Sequence, residues 1–233
     1  MIYRIADLDV KINNRFPFTD KFCKDYLVAD GERFDLEVSV SDEDLATEKK
    51  QSPDFSDGYI ENICIYRNIC NRMPTFNRFL MHCAVVEYDG KCYAFLGKSG
   101  TGKSTHTSLW LKNLPNAKIL NGDKPILLYD GDSFIVYGTP WQGKERLGYN
   151  GKCKLYGLCF LEQAKKNEIT RLAVGEAADR IFTQILLPND PVAVAKTLEL
   201  CDTLIKTVPT YLLKCDISDE AFQTSFNAMV KGE

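Results

Sequence analysis

The chain has 233 residues, 45% of them hydrophobic and 26% charged, with a formal net charge of −3, which is typical of a soluble globular protein. This charge gives no electrostatic basis for binding nucleic acid or an anionic membrane, and no apolar run is long enough to span a bilayer. The nine cysteines contain no C-x-x-C pair, so we expect reduced thiols and a cytoplasmic protein rather than a disulfide framework or a zinc site.

Residues 1–75 predict a small N-terminal lobe without a recognisable motif. Strict alternation of apolar and polar residues over 34–40 predicts a half-buried strand. Capping-box spacing at Ser41 predicts a helix that ends near residue 50, before a linker rich in Ser, Asp, Gly and Pro over 51–58. A second helix follows and stops before a proline. One face of this helix carries Tyr59, Ile63, Tyr66 and Cys70.

Residues 76–233 predict a larger unit that begins with two β-hairpins. The segments 80–87 and 91–96 flank a Tyr-Asp-Gly turn and predict the first hairpin. The segments 125–129 and 133–137 flank an Asp-Gly-Asp turn and predict the second. Consecutive hairpins imply a mixed sheet rather than an all-parallel one, so the expected fold class is α/β with an α+β-like mixed sheet.

The rest of this unit alternates between strands and helices. A short apolar run predicts a buried strand over 155–161, and a further strand is predicted over 208–214. Helices are predicted over 175–187, 191–206 and 219–230, the second of them with proline at its first position.

The segment between the strand 91–96 and the next helix matches the phosphate-binding pattern G-x-x-x-x-G-K-[ST] at every specified position. The glycines let successive backbone N–H groups point into one concavity at a helix N-terminus, where an anion is favoured. Lys103 would reach the β- and γ-phosphates, and Ser104 would take a Mg²⁺ position. A glycine-rich turn that only begins a helix is the alternative. The residues expected to bind nucleotide are Gly97, Ser99, Gly100, Thr101, Gly102, Lys103, Ser104 and Thr105.

The run 82–86, the loop 97–104 with its helix, and the segment 119–123 together resemble HPr kinase/phosphorylase and the related kinases that share the phosphate-loop core of phosphoenolpyruvate carboxykinase. The resemblance covers residues 79–145 well. It implies that type of phosphate-loop core, ATP and Mg²⁺ as cofactors, and phosphoryl transfer to a serine hydroxyl of a protein, a peptide or the free amino acid. Members of the family are often hexamers, so the resemblance also suggests a homo-oligomer.

The same resemblance indicates which carboxylate takes part in catalysis. In HPr kinase two adjacent aspartates follow the strand after the phosphate-loop helix; one acts as base toward the serine hydroxyl, and its neighbour serves the metal. Here the pair is Gly122-Asp123, so Asp123 alone remains as a catalytic candidate and, with Ser104, as a metal ligand. A plain turn residue is the alternative for Asp123. His82 is expected on the strand paired with 91–96, where it is a catalytic candidate that hydrogen-bonds Asp123 or the metal site, or else a core histidine.

The loop 138–146 combines two glycines, a tryptophan and three charged residues, which suits a mobile clamp on substrate or phosphate. Lys144 or Arg146 could stabilise the transferring charge, and Glu145 could replace the missing aspartate as base or metal ligand. Alternatively, the loop is an exposed turn anchored by Trp141.

Three functions agree with these residues. The leading one is an ATP-dependent kinase acting on a serine hydroxyl of a protein or peptide. The others are a small-molecule kinase, for instance of free serine, and a nucleotide-binding regulatory module without turnover, because Gly122 stands where an acid is expected. Carboxykinase activity is not expected, since the chain is too short for an oxaloacetate-binding domain. Arg171 is a weaker candidate for a phosphate contact and is better explained as a solvated charge at a strand end.

Overall fold

The computed structural model describes residues 1–28 and 33–232. Among them, the N-terminal part of the chain forms a small sheet in which β2 lies between β1 and β3. The strands of this sheet are β1 Ile2–Ile5, β2 Leu8–Asn13 and β3 Leu36–Ser39. β1 and β2 are antiparallel, whereas β3 runs parallel to β2. The strand predicted over 34–40 is therefore confirmed as β3.

The helices in the described part of the N-terminal region are α1 Phe18–Phe22, α2 Asp42–Gln51 and α3 Asp57–Arg72. α3 packs on β3 of the small sheet, and α1 and α2 pack on α3. The predicted capping box at the start of α2 is confirmed: Ser41 Oγ accepts from the backbone N–H of Asp44, whose carboxylate accepts from the N–H of Ser41. The predicted linker 51–58 joins α2 to α3, and α3 ends before the 3₁₀ turn Met73–Phe76.

The larger sheet is mixed, as predicted. Its strands in the described residues are β4 Arg78–Leu80, β5 Cys83–Tyr88, β6 Lys91–Leu96, β7 Lys118–Asn121, β8 Ile126–Tyr129, β9 Phe134–Tyr137, β10 Lys152–Gln163, β11 Glu168–Arg171 and β12 Thr210–Cys215. Both predicted hairpins are confirmed, since β5 pairs antiparallel with β6 and β8 with β9. The long strand β10 runs parallel to β6 on one edge, and its other edge is shared by β9 and β12.

Helices cover both faces of this sheet. They are α4 Lys103–Asn113, α5 Val174–Ile181, α6 Pro191–Thr207 and α7 Asp219–Phe226, followed by a π-helical turn Asn227–Lys231. One core cluster contains residues of α5 and α6, and another contains residues of α4 and α7. Because β6 leads directly into α4, the loop between them lies at an end of the sheet. None of the helices in residues 1–28 and 33–232 is long and apolar enough to cross a membrane.

The single strand predicted over 80–87 is wrong, because the chain changes partner at Met81 and His82. β4 pairs with β8, whereas β5 pairs with β6. Between these strands, the N–H of Met81 donates to Pro125 O and the N–H of His82 donates to Gln184 O, at 3.2 and 2.6 Å. His82 therefore lies at the break and not within the strand paired with β6.

The hydrophobic core of the N-terminal region continues onto the larger sheet. Its cluster is centred on the small sheet and α3, and also includes Leu80, Ile126, Tyr137 and Trp141. Asp7 adds a polar link, because its carboxylate accepts from Tyr137 Oη at 2.8 Å and from Lys152 Nζ at 2.6 Å. The division into a lobe over 1–75 and a core over 76–233 stays a prediction.

Candidate active site

A cleft of about 1010 Å³ lies where the loop after β6 approaches helices α1 and α3. Three groups of residues line it. We call the first the glycine-rich wall; it consists of Ser99, Gly100, Gly102, Lys103, Ser104 and Thr105. The second, the helical wall, consists of Phe18, Lys21, Phe22, Tyr59, Asn62, Ile63, Tyr66 and Arg67. The third is the covering loop, residues 141–147, of which 141–146 line the cleft. His82 and residues 122–124 complete the lining.

The glycine-rich wall is shaped by backbone conformations that favour glycine. Gly97, Gly100 and Gly102 have φ values of 150°, 84° and 102°, and Gly102 is the residue immediately before α4. A Cβ on Gly97 would lie only 2.6 Å from Thr101 Oγ1, which itself donates to Lys98 O at 2.9 Å. The glycines of the motif are therefore required by the path of the loop.

Lys103 lies at the start of α4 and reaches back over the loop. Its Nζ donates to Gly97 O at 2.7 Å, so the ammonium group stays close to the loop backbone. Burial lowers the pKa of Lys103, and the negative charge of Asp123 opposes this shift. Ser104 and Thr105 follow on the exposed side of the helix and border the same cleft.

Asp123 follows β7, with its side chain 19% exposed. One carboxylate oxygen is 3.1 Å from His82 Nε2, and the other accepts from Lys124 Nζ. Burial raises the pKa of Asp123, but the hydrogen bonds from His82 and Lys124 and the positive charge of Lys124 outweigh it and lower the pKa to about 2. Asn121 Oδ1 accepts from the backbone N–H groups of Asp123 and Lys124 at 2.9 and 2.8 Å. Asp123 is thus an oriented, ionised carboxylate.

Gln184 links the glycine-rich loop to His82. No sequence pattern predicts that this residue belongs to the site. Its side-chain Oε1 accepts from the N–H of Gly97 at 3.3 Å, and its backbone oxygen accepts from the N–H of His82. The side chain is buried, with 4% of the residue exposed. Gln184 follows α5 and belongs to no motif, so only the folded chain brings it to the site.

Gly122 lies beneath the covering loop. A Cβ at this position would be 3.1 Å from Gln142 O and 3.2 Å from Leu147 O, both of which are backbone atoms. The N–H of Gly122 donates to that same Leu147 O at 2.9 Å. An aspartate at 122 would therefore need the loop to move, which gives a steric reason for glycine at this position.

The covering loop has a buried beginning and an exposed end. Trp141 is only 4% exposed and anchors the loop, which agrees with the alternative of an exposed turn anchored by Trp141. Lys144, Glu145 and Arg146 are exposed and border the cleft. No described residue forms an ion pair or a side-chain hydrogen bond with Glu145. Arg171 lies on β11, exposed and outside the cleft lining.

The helical wall uses the face of α3 that the sequence singled out. Tyr59, Ile63 and Tyr66 of that face border the cleft, whereas Ile60 and Ile65 of the same helix are buried in the core. The ring of Tyr66 lies 5.5 Å from that of Trp141, and Lys124 Nζ lies 5.7 Å from its centre. Sequence reasoning missed this wall, because an apolar face on a helix ordinarily packs into a core.

The donor set agrees with a metal carried by a nucleotide. The described residues contain no group of three or more His, Cys, Asp and Glu side chains that could hold a metal ion. Mg²⁺ in nucleotide sites usually takes one or two protein oxygens and completes its shell with phosphates and water. The Ser104 hydroxyl and the Asp123 carboxylate, which border the same cleft, suit that mode.

Comparison with known proteins finds a distant likeness of fold. No protein-family model and no curated protein sequence matches this chain. Among solved structures it is similar to the Hpr(Ser) kinase/phosphatase from Coxiella burnetii, with a TM-score of 0.39 and 10% sequence identity. That match covers 66% of this chain and 97% of the other.

Proposed function

We propose that the cleft binds a nucleoside triphosphate, ATP in the leading case, and that the protein transfers its terminal phosphoryl group to a hydroxyl group. The observation that carries this proposal is the meeting of the glycine-rich wall, Lys103 and the His82–Asp123 pair in one cleft. The phosphates would lie on the loop, where α4 begins. There, N–H groups without intrahelical partners and the helix dipole both favour an anion.

The chain's own residues account for the charges that phosphoryl transfer creates. Lys103 would balance negative charge on the equatorial oxygens of the transferring group. When bound with the nucleotide, Mg²⁺ would neutralise further phosphate charge, held by Ser104 and Asp123. Lys144, at the exposed end of the covering loop, could approach the phosphates from another side.

In the transfer step, the hydroxyl oxygen forms a bond to the terminal phosphorus as the bond to the bridging oxygen breaks. The diphosphate leaves with that electron pair, and the hydroxyl proton must go to a base. Asp123 is a weak base at a pKa of about 2. Its hydrogen bond instead places a proton on His82 Nε2, which leaves Nδ1 to accept the proton of the acceptor. Glu145 is the alternative base.

A regulatory module that binds nucleotide without turnover is the second candidate. The observation that favours it is the close packing around Gly122, which disfavours a side chain where the HPr kinase resemblance implies a second aspartate. Turnover separates the two candidates. A His82→Gln variant of a kinase keeps nucleotide affinity and loses ADP release, whereas a binding module releases no ADP even as wild type.

The test begins with binding of Mg²⁺–ATP measured by calorimetry. We expect Lys103→Ala to weaken binding about tenfold or more, and Lys98→Ala to change it less than about twofold. Lys98 is a matched control in the same loop, because its side chain is exposed and only its backbone oxygen takes part in the loop. Failure of the wild type to retain any nucleoside triphosphate, or equal behaviour of the two variants, would contradict the proposal.

A further inference from the structure

We propose that the helical wall binds the phosphoryl acceptor, and that this acceptor is a small hydroxy carboxylate with an apolar body. The proposal rests on the function proposed above and names its substrate class. The cleft of about 1010 Å³ reaches the upper limit for a single small-molecule site, roughly 300–1,000 Å³. A triphosphate on the glycine-rich wall therefore leaves the helical wall for a second ligand.

The helical wall is continuous with the reacting groups. Lys124 Nζ contacts the Asp123 carboxylate and also lies over the ring of Tyr66. Tyr66 in turn packs against Trp141. A ligand lying on the Tyr66 ring would thus place its hydroxyl beside the Asp123–His82 pair. Aromatic rings bind apolar groups with large contact areas, so the body of the acceptor should be apolar.

The charges of the cleft select an anion. Six Lys and Arg side chains and only two carboxylates border it, in a chain whose net charge is −3. Within residues 1–28 and 33–232, Lys21, Lys144 and Arg146 form no ion pair. The guanidinium of Arg146 lies 5.1 Å from the centre of the Phe22 ring, so a positive charge lies next to an apolar surface. A carboxylate attached to an apolar body fits that combination.

Asn62 supplies an unsatisfied polar atom in the same wall. The residue is 2% exposed, borders the cleft, and its Oδ1 has no hydrogen-bond partner in the described part of the chain. A buried oxygen without a partner costs free energy, which a donor group of a bound acceptor would recover. In contrast, the neighbouring Glu61 already accepts from the N–H groups of Arg15 and Phe16.

The construction of this wall disfavours a peptide acceptor. A bound peptide brings one N–H and one C=O for each residue and commonly satisfies them on an exposed strand edge. The helical wall instead presents side chains of α1 and α3. The backbone groups within α3 are already paired inside the helix.

The experiment uses the full chain with a non-hydrolysable ATP analogue and a set of hydroxy acids. The set contains 3-phenyllactate, a branched aliphatic hydroxy acid and lactate, each paired with the neutral diol of the same skeleton, and a serine-containing peptide. We expect an acid with an apolar body to bind about tenfold or more tightly than its neutral diol and than the peptide. In active protein the same acid should increase ADP release.

Two variants test the location of the acid. Arg146→Asn removes the charge, and asparagine tolerates the left-handed backbone there, where φ is 51°. Tyr66→Leu removes the ring. Each should weaken acid binding about tenfold while nucleotide affinity stays within about twofold, and the Arg171→Gln control should change neither.

Three results would overturn the proposal. They are equal affinity for acids and neutral diols, binding of the peptide but of none of the acids, and a loss of nucleotide affinity in Tyr66→Leu as large as the loss of acid affinity. The last result would place the nucleobase on the helical wall. Acid binding is also measured without nucleotide. Failure of the proposed phosphoryl transfer would therefore appear separately, as absent nucleotide binding with the acid still bound.

Discussion

The glycine-rich wall and the helical wall border one cleft but are built in different ways. The glycine-rich wall is formed by six residues within the single short segment 99–105, and both of its glycines have φ values that other residues rarely adopt. The helical wall is a set of side chains from α1 and α3, which are separated in the chain by β3 and α2. A surface made of backbone leaves a local signature in the sequence, whereas a surface made of side chains from distant helices does not.

This difference has a physical cause. Positive φ excludes most residue types, so the need for glycine is visible from the residue alone. Aromatic residues on one helix face satisfy a core and a ligand site equally well. Tyr66, which borders the cleft, and Cys70, which is buried, lie on the same predicted face of α3 and differ in location but not in periodicity.

Asp123 belongs with the glycine-rich wall in our proposal, and its replacement should have the largest effect. We expect Asp123→Asn to slow ADP release about a thousandfold, because it removes the charge that orients His82 and holds the metal. Nucleotide affinity without Mg²⁺ should change much less. Asp132→Asn is the matched control, since Asp132 is exposed in the turn between β8 and β9. Turnover of Asp123→Asn close to that of the control would remove Asp123 from the mechanism.

Replacement of Gly122 tests how tightly the covering loop packs against this residue. We expect Gly122→Ala to lower the free energy of unfolding by about 1–3 kcal/mol, because its Cβ would press on two backbone oxygens. Tryptic cleavage after Lys144 or Arg146 should become faster as the loop is displaced. Gly175→Ala is the control: no atom lies within 4 Å of its added Cβ, and alanine favours the helix. A Gly122→Ala protein as stable as wild type would show that the loop yields without cost.

The ion pairing of Asp123 should also make the free energy of unfolding depend on pH. Its pKa is about 2 in the folded chain and 3.8 without the fold, so the unfolded state binds more protons between these values. The stabilisation is therefore complete above about pH 4 and is lost as the pH falls through 2, with a magnitude of about 2 kcal/mol. Urea unfolding of wild type and Asp123→Asn at pH 5, 3 and 2 measures it. A stability difference that does not shrink on acidification would contradict the ion pairing.

Arg171 belongs to neither wall, and its replacement should have the smallest effect. It is exposed on β11 and outside the cleft lining. We expect Arg171→Gln to change the free energy of unfolding by less than about 0.5 kcal/mol and to leave turnover unchanged. A clear loss of nucleotide affinity in this variant would mean that the phosphates lie elsewhere.

Much of the fold could be predicted, because its signals are local. The turns at 88–90 and 130–132 predicted two hairpins, and Ser41 and Pro191 mark the starts of α2 and α6 as expected. The break at His82 could not be predicted. At this break the backbone N–H of His82 donates to the backbone oxygen of Gln184, a residue far away in the sequence.

The candidate site, like the fold, was predictable only where its signals are local in the sequence. The loop residues and Asp123 could be named, because a motif or a strand end marks each of them. The partners of these residues could not, since Gln184 and Tyr66 reach the cleft only through packing between elements far apart in the chain.

The space around Gly122 has a consequence for how this chain can evolve. A second aspartate at that position requires the backbone at Gln142 and Leu147 to shift by a few tenths of an ångström, because their oxygens lie 3.1 and 3.2 Å from the place of its Cβ. A lineage that gained this aspartate would therefore need compensating changes within residues 142–147. Descendants of this chain are expected to keep a single aspartate for as long as that segment keeps its path.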